Sequence, residues 1–181
     1  MSEALQNGRG EDLLKTCVYG LLLFCLIATL SSCSSVSRTP EYTYQKEAVT
    51  ITLRADPQLN LYQGSPHTLV ACTYQLRDPN AFNQLVDEKD GLPKLLECGR
   101  FDASVAYAKR LVVQPGQEMK DSLDRAEGAK YVSFVAGYYN LQKSNVVRLI
   151  QIPVGTLSSK PQSVNLELYL GPQAIQDLKR K

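Results

Sequence analysis

Among the 181 residues there is a single histidine, His67, and no tryptophan. One histidine excludes an HExxH zinc site, a two-Cys, two-His zinc finger and any multi-histidine metal centre. It also leaves only one candidate for a His-based catalytic triad. The chain has no GxSxG elbow, no Walker loop, no GxGxxG and no DxDxDG calcium pattern. A surplus of one charge sign is missing too: 20 Lys and Arg against 18 Asp and Glu give a formal net charge of +2. That balance excludes duplex nucleic acid as the main partner. No CxxC pair offers a zinc or redox centre. The absences point away from an enzyme and from a small-molecule substrate. What remains is ordinary for a folded domain, with 44% hydrophobic and 21% charged residues.

A spanning run of about 20 apolar residues is also lacking. Residues 16–30, TCVYGLLLFCLIATL, make an uncharged stretch of fifteen, the length of a secretory h-region. Leu30-Ser31-Ser32-Cys33 follows at once. An aliphatic residue, two small residues and a Cys resemble the lipobox of bacterial lipoproteins. There the thiol takes a diacylglycerol, the preceding bond is cut and the new amino terminus is N-acylated. The n-region departs from the usual basic pattern, with Arg9 and Lys15 against Glu3, Glu11 and Asp12. An uncleaved anchor helix is the alternative. Ser34, rather than Asp, follows the Cys, which by analogy implies the outer membrane, facing the periplasm.

Cleavage before Cys33 leaves 149 of the 181 residues, enough for one self-sufficient core. Cys17 and Cys25 fall in the leader. Cys72 and Cys98 remain, an even pair in a chain exported to an oxidising compartment. A bridge between them would close a loop of about 26 residues and contribute roughly 3 kcal/mol in the chain-entropy model. The other reading is two buried, reduced thiols.

The expected organisation is a signal peptide over 1–32, a lipidated tether over 33–47, a β-sandwich over 48–172 and a basic tail over 173–181. Alternation begins at Val49, Ile51, Leu53 and Ala55 and stops at Asp56-Pro57. Val70, Cys72, Tyr74 and Leu76 mark the inner face of a second strand. Phe82, Leu85 and Val86, then Leu92, Leu95 and Leu96, predict two short helices in an insertion at about 79–106, with Asp90 as a cap. Strands resume near residues 109–114, 118–123, 130–138, 146–153 and 163–170. About seven short strands separated by turn signals predict a mainly β fold, a sandwich.

Few residues offer chemistry. His67 beside Pro66 reads as a loop-edge histidine. Asp121, Asp124 and Glu127 lie among Arg125 and Lys130, which is the pattern of salt bridging around a turn rather than of a metal cluster. The closing Lys179-Arg180-Lys181 reads as a solvated terminus.

The order of features is more specific than any one of them. A lipobox and short tether precede ADPQLN, TYQLRDPNAFNQL, VVQPGQ, DRAEGAKYVSFVAGYY and VVRLIQIPV. This order resembles the TssJ (SciN-like) family of outer-membrane lipoproteins of the bacterial type VI secretion system, over roughly residues 48–154. The resemblance implies a transthyretin-like sandwich with an added helical element, no enzymatic activity and no cofactor beyond the lipid on Cys33. It implies binding to the periplasmic C-terminal region of TssM, and through TssM an association with TssL. The family's contact loop maps onto Gln58, Leu59, Asn60, Leu61, Tyr62, Gln63, Gly64 and Ser65, between the first two strands. Those strands read as a pair that a two-residue turn could join, so the extra length is assigned to docking. The alternatives are an envelope lipoprotein holding cell wall, glycan or another assembly, and an envelope hydrolase, which the missing motifs oppose.

Overall fold

The computed structural model describes Thr16, residues 39–156 and residues 159–180. The rest of the leader, the lipobox with Cys33, residues 157–158 and Lys181 lie outside the described residues. The first strand, β1 (Gln45–Ala55), buries Val49, Ile51 and Leu53 completely on one face, as the alternation requires. The remaining strands are β2 (Leu69–Leu76), β3 (Val105–Val113), β4 (Glu118–Arg125), β5 (Tyr131–Ala136), β6 (Val147–Gln151), β7 (Val164–Leu170) and β8 (Ile175–Arg180). Helices α1 (Asn80–Asp87) and α2 (Gly91–Leu95) follow β2, and a single turn, α3 (Lys143–Val146), precedes β6.

The strands form two four-stranded sheets, ordered β4-β1-β7-β8 and β3-β2-β5-β6. In the first sheet β1 is central, antiparallel to β4 and parallel to β7. The sandwich closes on a core of apolar side chains from both sheets, including Ile51, Leu53, Leu69, Leu168 and Leu170. Gln75 pins the sheets together. Its Nε2 donates to the Asp124 carbonyl at 2.7 Å, and its Oε1 accepts from the Ala126 amide at 2.8 Å. This buried amide has both ends satisfied, which is the condition for keeping a polar group inside.

The helical insertion covers the outer face of the second sheet. Phe82 and Phe101 pack on Tyr74, with ring centroids 6.1 and 5.5 Å away. The Tyr74 hydroxyl donates to the Leu95 carbonyl. Burial, with Glu97 adding, pushes this phenol up to about 12, so it stays a donor at neutral pH. Helices α1 and α2 meet closely enough that a Cβ on Gly91 would collide with the Leu85 carbonyl.

Cys72 and Cys98 are disulfide-bonded, with Cα atoms 5.2 Å apart. The bridge staples the far end of the insertion to β2. Replacing both by Ser is expected to lower unfolding stability by about 2–4 kcal/mol with the sheet topology retained. Urea melts of the oxidised and double-Ser proteins measure it, and equal midpoints would remove the staple's role.

Four expectations need correction. Val70, Cys72, Tyr74 and Leu76 were assigned to the sandwich interior. Cys72 and Tyr74 instead meet the insertion, and Gln75 reaches the opposite sheet. β2 is covered on both faces, so its nearly continuous apolar run carried no inside-outside signal. The tether does not extend to residue 47. Tyr42 is buried, its carbonyl accepts from Gly128 N at 2.6 Å, and the Arg125 Nε donates to the Thr43 carbonyl at 3.1 Å. Alternation hides there because the ladder shifts between Gln45 and Val49, with Glu47 in the left-handed region at φ 50°. The tail assigned to 173–181 contains β8, which pairs antiparallel with β7 and buries Ile175. Its charges masked a strand with only two apolar side chains. β3 starts at Val105 rather than near 109.

The acidic residues near the β4 end serve the chain's entry into the sandwich. Asp124 accepts from the Tyr44 hydroxyl and from the Glu47 amide at 2.8 Å, and Glu127 accepts from the Tyr44 amide at 2.6 Å. Asp121 instead pairs with Lys109 at 2.7 Å. The Tyr44 bond, then the Glu47 amide, hold the Asp124 carboxyl below its ordinary 3.8, and the same bond raises the Tyr44 phenol. A carboxyl depressed by folding stabilises the native state above its unfolded value, and that contribution disappears as pH falls through the folded value. Asp124→Asn is therefore expected to flatten the loss of stability below about pH 4. Thermal melting between pH 2 and 6 checks it, and an unchanged acid limb would contradict the assignment.

Candidate docking site

The connection between β1 and β2 spans the two sheets, because β1 belongs to one and β2 to the other. A two-residue turn could not have joined them, so the length of residues 56–68 is first a requirement of topology. The expectation that a two-residue turn could join these strands, leaving the extra length to docking, is overturned on that ground.

Its first half is structural. The Gln58 amide donates to Asp56 Oδ1 at 2.7 Å, and the Leu59 amide to the Asp56 carbonyl at 2.9 Å. Tyr169 fixes the same carboxylate through its hydroxyl at 2.8 Å. Leu59 is fully buried in the core. Asn60, only 5% exposed, bridges two segments: its Nδ2 donates to the Thr68 carbonyl at 3.2 Å and its Oδ1 accepts from the Tyr139 amide at 3.0 Å. Leu61 is half-buried, and its amide donates to the Pro172 carbonyl at 2.7 Å. Leu59 and Asn60 are thus scaffold.

The second half projects. Tyr62 and Ser65 exchange both amide–carbonyl bonds, at 2.9 and 3.0 Å, around Gln63 and Gly64. Both central residues have positive φ, 48° and 78°, the type I′ geometry that a Gly at the second position permits. Gln58, Tyr62, Gln63, Gly64 and Ser65 are exposed.

Tyr62 does not stand alone. Its ring stacks on Tyr139, centroids 4.1 Å apart and 16° from parallel. His67 sets its edge against both, at 5.3 Å from Tyr139 and 6.3 Å from Tyr62, and its Nδ1 lies 2.9 Å from the Ser65 carbonyl. Tyr62 and Tyr139 keep 45% and 56% of their surface exposed. Beside the pair runs an open groove of about 240 Å³ lined by Asn60, Leu61, Tyr62, Tyr138, Tyr139, Asn140, Pro172 and Gln173. Tyr138 is nearly buried, and its hydroxyl has no hydrogen-bond partner among the described residues. Burial raises that phenol, so it remains protonated.

The docking expectation covered residues 58–65; the structure sets residues 138–140 and 172–173 beside them, in one groove. A signal existed: two adjacent tyrosines and an Asn between a strand and a helix. It was absorbed into the strand predicted over 130–138, whereas β5 ends at Ala136.

Residues 47–172 match the T6SS-SciN family, described as type VI secretion lipoprotein, VasD, EvfM, TssJ. The chain belongs to this family. It is a family of structural lipoproteins of the secretion system rather than of enzymes. No curated protein matches the sequence. The fold is similar to that of the type VI lipoprotein TssJ1 from Pseudomonas aeruginosa, at 23% identity and TM-score 0.58, covering 78% of this chain and 98% of that one. It is similar to Serratia marcescens Lip, a membrane-bound component of the system, at 20% identity and TM-score 0.55, covering 74% and 96%. A chain in the structure "T6SS protein TssM C-terminal domain (869-1107) from EAEC" is similar at 15% identity and TM-score 0.55, again over 74% and 96%. The family fold is the transthyretin-like sandwich with a helical insertion that the sequence led one to expect. Among the described residues no cluster of three or more metal-ligating side chains occurs, and no helix is long and apolar enough to cross a membrane.

Proposed function

We propose that this type VI secretion lipoprotein is anchored through acylated Cys33 to the periplasmic face of the outer membrane. From there the exposed part of the 58–65 loop, Gln58 and Tyr62 to Ser65, docks the periplasmic C-terminal region of TssM, and through it TssL, tethering the membrane complex. The observation that carries the reading is the polarity of β1. The chain enters the sandwich at Tyr42–Gln45, held by Gly128, Arg125 and Glu127. The exposed Tyr62 turn follows the other end of the same strand. Eleven residues of extended chain put roughly 35 Å between the two ends, so the turn faces away from the point where the anchor joins.

Loops on a rigid scaffold are where binding residues concentrate, and an exposed Tyr is a favoured hot-spot residue. Capture of the TssM periplasmic region by the purified lipoprotein is expected, and Tyr62→Ala should weaken it by about tenfold or more. No capture by the unsubstituted protein would refute the docking role.

A further inference from the structure

We propose that the docking surface is composite. Tyr139 and the groove formed with residues 138–140 and 172–173 receive an uncharged, extended segment of the same partner that the Tyr62 turn engages. This rests on the docking role proposed above.

Three features lead to it. The rings of Tyr62 and Tyr139 are in stacking contact, and Asn60 ties the two loops through the Tyr139 amide. A partner that covers one ring therefore meets the other. The stack also fixes both rings before binding, which removes much of the ordering cost of an aromatic anchor.

The groove then defines the chemistry of what enters it. No Lys, Arg, Asp or Glu lines it. Phosphate, carboxylate and ammonium groups would find no countercharge there, and burying them unpaired is costly. Asn140 and Gln173 are exposed at its rim, and an amide side chain both donates and accepts, as a peptide group does. Tyr138, nearly buried, supplies the apolar floor of the groove rather than a hydrogen-bonding group.

Size decides between a small ligand and a chain. About 240 Å³ in an open trough falls below the roughly 300–1,000 Å³ of pockets that enclose a ligand. It suits one or two residues of a polypeptide lying across it. One wall, Leu61 and Tyr62, belongs to the proposed contact loop itself, so the groove continues that surface.

The test is titration calorimetry of the acylated lipoprotein, in detergent, against the TssM periplasmic region. Tyr139→Ala is expected to raise Kd by about tenfold. Combined with Tyr62→Ala it should cost less than the product of the two single effects, because the rings act as a stack. Gln173→Lys, which places a charge in the groove, should also raise Kd. Both sites are exposed, so melting temperatures should hold and show that the fold is intact. Parental affinity in Tyr139→Ala and Gln173→Lys, with loss confined to Tyr62→Ala, would overturn the composite surface and leave the loop as sole contact. Absence of binding by the unsubstituted lipoprotein would instead overturn the docking role, and the composite surface with it.

Discussion

Cys33→Ser is expected to leave the protein off the outer membrane and to abolish type VI secretion. The lipobox Leu30-Ser31-Ser32-Cys33 offers one thiol able to form the thioether, and a serine hydroxyl does not replace it. Each buried methylene of an acyl chain contributes about 0.8 kcal/mol, and stable attachment needs more than one chain. Losing the acceptor therefore removes all of the anchoring energy rather than a fraction of it. Membrane fractionation with a secretion assay measures the effect. Normal outer-membrane recovery of the Ser variant would refute the anchor.

Leu59→Ala is expected to destabilise the domain by about 2–5 kcal/mol, a cost ordinary for a fully buried leucine, although it lies inside the proposed docking loop. Leu59 has no exposed surface, and its carbonyl accepts from the His67 amide at 2.9 Å. Its removal leaves a cavity where the loop crosses from one sheet to the other. Deleting residues 59–65 as a block removes this side chain, the Asn60 bridge and the crossover together, so that variant is expected not to fold. Tyr62→Ala should be nearly neutral in the same urea melts. Equal losses for the two variants would contradict the division into scaffold and contact halves.

This division shows where sequence reading ran out. Period-two alternation located β1 and β7, since each buries one face and leaves the other more open. The same rule said nothing about which face of β2 looks inward, because the insertion covers the other one. It overlooked the chain's entry at Tyr42–Gln45 and the strand β8, where irregular register interrupts the pattern. Sheet membership escaped it as well. Consecutive strands read as a hairpin, although β1 and β2 pair with other partners. The contact loop came from the family resemblance. The Tyr138-Tyr139-Asn140 run was visible, but its stacking on Tyr62, 77 positions away, came only with the fold.

The central position of β1 has a mechanical consequence. Its backbone joins, without interruption, the segment that leads from Cys33 and the turn that carries Tyr62. Tension between an acyl anchor and a partner gripping that turn is carried along one covalent strand. The ladders to β4 and β7 flank this line and are not in series with it. Tension applied to Tyr139 instead enters through β5, crosses its ladder to β2, and reaches β1 through the 56–68 crossover and contacts such as the Asn60 bridge. A pull on the Tyr62 turn would reach β1 through residues 56–61, where buried Leu59 and the Asn60 bridge resist it.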